Sequence, residues 1–116
     1  MTERQLEILV DSVMGDEPLN FELSYGGDKL EVTTQNGRWV AAVNHIKKNS
    51  VNFFIWPEFV EYNGVYNMMP DYDQKKLLNG IYRRIASMAQ KYMPKHNLDE
   101  YSYCCKLTGG FLFLKL

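Results

Sequence analysis

Cysteine is nearly absent from this chain of 116 residues: there are two, Cys104 and Cys105, and they are neighbours. Adjacent cysteines bridge each other only with strain, and a disulfide framework needs cysteines far apart in sequence. That excludes a disulfide-stapled secreted scaffold and points to a reducing, cytoplasmic setting. Long hydrophobic runs are also missing. The run Phe53-Phe54-Ile55-Trp56, for one, falls far short of the roughly 18 apolar residues of a membrane span. The opening Met1-Thr2-Glu3-Arg4-Gln5 has neither the basic nor the apolar region of a secretory signal. Neither sign of charge dominates: 13 basic and 14 acidic side chains leave a formal net charge of −1. A uniformly basic nucleic-acid binder and a heavily acidic nucleic-acid mimic are therefore excluded. The chain contains no G-x-S-x-G, no Walker sequence, no dinucleotide fingerprint and no H-E-x-x-H. It reads as a non-enzyme without a cofactor.

What is present is a globular composition. Hydrophobic residues make up 46% and charged ones 23%, and aromatics reach 14% through eight Tyr, six Phe and two Trp. The length fits a single domain, 1–116. Thr2 and Gln5 have the form of a capping box, and Leu6, Leu9, Val10, Val13 and Met14 follow at helical spacing. An amphipathic helix is expected over about 3–14, closed by Gly15. Past Pro18 the period changes to two. Leu19, Phe21, Leu23 and Tyr25 alternate with polar residues; Leu30, Val32 and Thr34 do the same, then Trp39, Ala41 and Val43. Gly26-Gly27 and Asn36-Gly37 read as two-residue hairpin turns. Such turns pair Leu23 with Leu30, Phe21 with Val32, Leu30 with Val43, Val32 with Ala41 and Thr34 with Trp39, which keeps one apolar set on one face.

His45 to Ser50 reads as a polar connection, and Val51 to Trp56 as a fourth strand ended by Pro57. Tyr62-Asn63-Gly64-Val65 repeats the hairpin signal, which predicts a short strand pair over about 58–62 and 65–69. A long helix is expected over about 71–93, opened by Asp71 with Gln74 as its capping partner and stopped by Pro94. Gly80 inside it costs about 1 kcal/mol. Tyr101 to Leu107 and Phe111 to Leu116 read as strands around Thr108-Gly109-Gly110. The expected fold is α+β: an antiparallel meander sheet of about five to seven strands, flanked by the N-terminal amphipathic helix and the one long helix.

The two sheet faces then differ. One carries Phe21, Leu23, Leu30, Val32, Trp39, Ala41 and Val43, which two amphipathic helices can cover. The other is polar near the first hairpin, with Glu22, Ser24, Lys29, Glu31, Thr33, Gln35 and Arg38. Farther on it turns apolar, with Val40, Ala42 and either Phe54 and Trp56 or Phe53 and Ile55. One helix layer cannot hide both faces. Leaving large aromatics wet is disfavoured by about 1.5–3 kcal/mol each. Either a helix crosses to the second face or another molecule meets it. The second case predicts a protein partner, the chain itself included, on a patch of Phe54, Trp56, Phe59, Tyr62, Tyr66 and Met68. It requires that the indole of Trp56 and its neighbours are not fully enclosed by their own chain.

Charge is uneven along the sequence. Residues 1–35 hold eight acidic and two basic side chains, net −6, whereas residues 71–116 hold four acidic and eight basic, net +4. Lys75, Lys76, Arg83, Arg84 and Lys91 fall on the solvent side of the long helix. They form either a solvated face or a surface for nucleic acid or another anion. The helix–meander–helix order is similar to that of double-stranded-RNA-binding domains, in element order alone, without that family's recognition loop or lysine-rich helix start. It also resembles the order of small acidic chaperones that hold secreted proteins, again without a shared motif.

Other chemistry finds little footing. Glu22 and Glu31 face each other across the first hairpin, but no aspartate or histidine is placed to complete a site with them. His45, His96, Cys104 and Cys105 lack zinc spacing, and adjacent cysteines on a strand point to opposite faces, so no metal is expected. Tyr62, Tyr66, Tyr72, Tyr101 and Tyr103 leave open a ligand pocket lined by hydroxyls, and equally an interface.

Overall fold

The computed structural model describes residues 1–15, 18–47, 50–61, 64–94, 102–106 and 111–115. Helix α1 spans Glu3–Met14. Both halves of its capping box form: the Gln5 N–H donates to Thr2 Oγ1 at 3.1 Å, and the Thr2 N–H donates to Gln5 Oε1 at 2.9 Å. Four strands follow, β1 Leu19–Ser24, β2 Lys29–Thr34, β3 Trp39–Lys47 and β4 Ser50–Ile55. They pair antiparallel in chain order, so the fold is α+β. The backbones of β5 Ser102–Lys106 and β6 Phe111–Lys115 continue the order as β1-β2-β3-β4-β6-β5. The Thr108-Gly109-Gly110 turn lies outside the described residues.

The first hairpin has the expected register, with Leu23 opposite Leu30 and Phe21 opposite Val32. The second departs from expectation at its tip. Its loop has three residues, Gln35, Asn36 and Gly37, because the Thr34 N–H bonds to the Arg38 carbonyl at 2.9 Å and the Gly37 N–H to the Thr34 carbonyl at 3.0 Å. Gly37 sits at φ 81°, the left-handed residue that follows a type I turn in such loops. The longer loop shifts β3 by one residue and pairs Trp39 with Thr33 instead of Thr34. A bulge at Val40 absorbs the shift, so Val32–Ala41 and Leu30–Val43 pair as the alternation predicts. Two expectations are overturned as a result. Trp39 leaves the core face, and Val40, expected on the other face, is fully buried in the core. Leu23 was also expected in the core and is 42% exposed.

Farther along, β3 and β4 pair through His45–Val51 and Lys47–Ser50, so most of the expected polar connection is ladder. The strand pair expected over 58–69 is replaced by two single helical turns, α2 Pro57–Val60 and α3 Val65–Met68. Pro57 occupies the first helical position of α2, where its fixed φ and missing N–H are harmless. Gly64 precedes α3 at φ 74°, a conformation that glycine adopts without penalty. The turns bury Val60, Tyr66 and Met69, the last two at the i, i+3 spacing of one helical side.

Helix α4 spans Asp71–Ala89 with Pro70, not Asp71, as its N-cap, and ends short of Met93. Gln74 does not cap its own helix. Its Nε2 donates to the carbonyls of Tyr66 at 2.9 Å and Met69 at 3.1 Å, tying α3 to α4. Past Ala89 the chain turns, and the Met93 N–H returns to the Ala89 carbonyl at 3.1 Å with its side chain fully buried. One buried cluster joins Val10 of α1, Leu30, Val32, Ala41, Val43 and Ile55 of the sheet, and Leu77, Ile81 and Ile85 of α4. Gly80 explains itself here: a Cβ on it would lie 2.7 Å from Val10 Cγ2, so its absence lets α1 and α4 approach. Arg84 of α4 and Asp11 of α1 form an ion pair across the same seam. No described helix is long and apolar enough to cross a membrane.

Candidate functional site

Strand alternation dictates what the second sheet face presents. Ile55 is buried in the core cluster, so Phe54 and Trp56 point the other way. This settles the choice left open between Phe54 with Trp56 and Phe53 with Ile55. The Val40 bulge brings Trp39 to the same face. The two indoles stack with centroids 5.2 Å apart and planes 17° from parallel. Phe54 meets Trp56 edge-on at 4.4 Å and 74°. Contacts of this kind are worth about 0.5–1.5 kcal/mol each beyond the area they cover. The Trp56 N–H donates to the Val40 carbonyl at 3.0 Å, which fixes the strand end that carries the ring.

The three rings are not enclosed. Trp39 is 45% exposed, and Phe54 and Trp56 are half-buried. Ala42, the cross-strand partner of Phe54, is buried outside the core cluster. Acidic groups flank the platform on the β1 side. Glu22 pairs with Glu31, Glu31 with Ala42, and Ala42 with Phe54, one row across the sheet. Lys29 relieves part of that charge through a 3.3 Å ion pair with Glu31. The arrangement is a partly exposed aromatic cluster with acidic groups on one side, suited to apolar contact. Among the described residues no three His, Cys, Asp or Glu side chains gather as metal ligands would.

The residues chosen from sequence scatter. Phe54 and Trp56 come together, and Trp39 joins them. Phe59 instead packs partly buried against the core, and Tyr66 is 6% exposed within it, because each lies in a single helical turn that turns it inward. Tyr66 therefore offers no contact surface. Met68 stands out on α3 at 86% exposure. Tyr62 lies outside the described residues, as do His96 and Tyr101 and the side chains of His45, Tyr103, Cys104 and Cys105. On the basic stripe, Lys75, Arg83, Arg84 and Lys91 are exposed and Lys76 is half-buried. Arg84 is committed to Asp11, and the Lys76 ammonium sits 4.5 Å from the centre of the Tyr72 ring. Sequence reasoning missed Trp39, since strict alternation from Ala41 puts it on the core face. Comparison with family models, curated proteins and solved structures finds no match to this chain.

Proposed function

We propose that this chain is a small non-catalytic protein-binding module, acting in the cytoplasm, that docks a protein partner through the aromatic face of a meander sheet of five to seven strands flanked by α1 and α4. A second copy of the chain is the first partner the reading names, as a homodimer. The observation that carries it is the stacked pair Trp39–Trp56, with Trp39 45% exposed. Large rigid rings gain contact area at low conformational cost and anchor interfaces. The three rings are already about half-buried, so docking removes only the rest from water, about 2–5 kcal/mol at about 1.5–3 for each full burial. Association itself costs about 4–15 kcal/mol. The rings alone therefore do not outweigh that cost, and the surrounding contacts must supply the rest, with Glu22 and Glu31 at the border setting orientation.

Light scattering behind a sizing column, run over a wide concentration range, tests this. The average mass is expected to climb toward that of a pair, and Trp39→Ser to return it to the monomer with an unchanged circular-dichroism spectrum. A strict monomer at every concentration, whose emission maximum never moves, overturns the self-association. Binding of nucleic acid along α4 has less support, because Arg84 and Lys76 already have partners in Asp11 and Tyr72.

A further inference from the structure

Strand β1 forms one edge of the sheet. Among the described residues it pairs with β2 alone, so the N–H and C=O groups of its other side meet no strand there. Proteins guard such edges with proline, lysine, a bulge or a covering element. Residues 19–24 hold no proline and no lysine, and all six pair with β2 in unbroken register.

The apolar row on the helix side of β1 is also incomplete. Leu19 and Phe21 pack only partly buried against the core, and Leu23 is 42% exposed. Side chains on a neighbouring strand are what cover such positions within a sheet. Phe21 stacks on Tyr92 with centroids 4.9 Å apart and planes 11° from parallel, and Tyr92 is itself 42% exposed. Beside the start of β1, Met14, Leu19 and Met88 line a cleft of about 500 Å³. Edge, apolar row and cleft together make half of a strand-addition site, in which main-chain hydrogen bonds supply affinity and pockets for alternate side chains supply selectivity.

The other face selects the charge of the incoming strand. Glu22 stands opposite Glu31 on β2, and like charges directly opposite destabilise a sheet. Lys29 holds Glu31 at 3.3 Å, whereas Glu22 has no ion pair with another described residue. A cation on the free side of Glu22 therefore relieves the pair. Asp16 and Glu17, next before Pro18 in the chain, bear the same sign as Glu22.

We propose that the free edge of β1 accepts an extended segment of a partner protein, antiparallel to β1, with apolar residues opposite Leu19, Phe21 and Leu23 and a lysine or arginine opposite Glu22. This contact is separate from the aromatic sheet face and does not depend on its function.

The peptide acetyl-Val-Lys-Val-Thr-Val-amide, titrated into the full chain and followed by amide NMR, tests the proposal. Saturable shifts are expected across 19–24, with slower amide exchange there. The peptide with Glu in place of Lys is expected to bind up to about fivefold more weakly, and Glu22→Lys to reverse the order of the two. Glu22 is exposed, so the variant keeps the fold, which its amide spectrum without peptide verifies. Alternate N–H groups of a strand point to opposite edges, so N-methylation of the three valines, or of the lysine and threonine, blocks one edge of the peptide each. One of these two peptides is expected to bind like its parent and the other to lose binding. Four results overturn the proposal: no saturable shift at millimolar peptide, equal behaviour of the two methylated peptides, a peptide preference that Glu22→Lys leaves unaltered, or β1 amides of the Trp39→Ser chain that move with its own concentration, which assigns the edge to a second copy.

Discussion

Gly80→Ala sets two effects of opposite sign against each other. Alanine in place of glycine favours a helix interior by about 1 kcal/mol. The new methyl group, however, would stand 2.7 Å from Val10 Cγ2, well inside van der Waals contact. Val10 has little freedom to retreat: it is 4% exposed, in the core cluster, and β-branched with one strongly preferred rotamer. Overpacking of this kind costs about 1–3 kcal/mol. The net expectation for Gly80→Ala is a loss of about 1 kcal/mol. Val10→Ala removes the obstacle at its own cost of about 2 kcal/mol, from two buried methyl groups and the space they leave. In that background Gly80→Ala becomes stabilising by about 1 kcal/mol, as helix propensity alone dictates. The double-mutant cycle therefore carries a coupling of about 2 kcal/mol, well above the few tenths seen between independent sites. Urea unfolding followed by far-ultraviolet circular dichroism measures all four corners. A Gly80→Ala chain more stable than its parent, or single-variant effects that simply add, refutes the idea that the glycine exists to admit Val10.

Two further variants check the local accounts. Gly37→Ala meets no atom within 4 Å, so its effect isolates the φ of 81°; the left-handed conformation predicts a loss of about 1–2 kcal/mol in thermal or urea unfolding. Gln74→Ala removes both side-chain hydrogen bonds to the Tyr66 and Met69 carbonyls; a loss of about 1–3 kcal/mol is expected, together with faster amide exchange across 65–69.

The two hairpins show where sequence reasoning carries and where it stops. Alternation identified the core positions Leu30, Val32, Ala41 and Val43 because a one-residue slip would wet all of them together. The same rule misplaced Trp39 and Val40. Asn36-Gly37 suits a two-residue turn and a three-residue loop equally, since glycine at positive φ serves both, and nothing in the local residues announces the compensating bulge. Segment 57–69 was misread for a related reason. Single helical turns are too short to show a period, and the glycine that suggested a hairpin instead precedes α3 at positive φ. Gln74 was legible as a hydrogen-bonding residue but not by partner, because its acceptors sit on the preceding turn of chain. The candidate site was thus half visible: Phe54 and Trp56 came from the apolar run, while Trp39 required the tertiary register.

Both tryptophans of the chain lie in the proposed contact surface, so acrylamide quenching of their emission reads that surface and nothing else. Strong quenching in dilute solution, falling as the concentration and the average mass rise together, is the predicted result. Indoles already shielded at the highest dilution would contradict the account, since their own chain would then be sufficient to cover them.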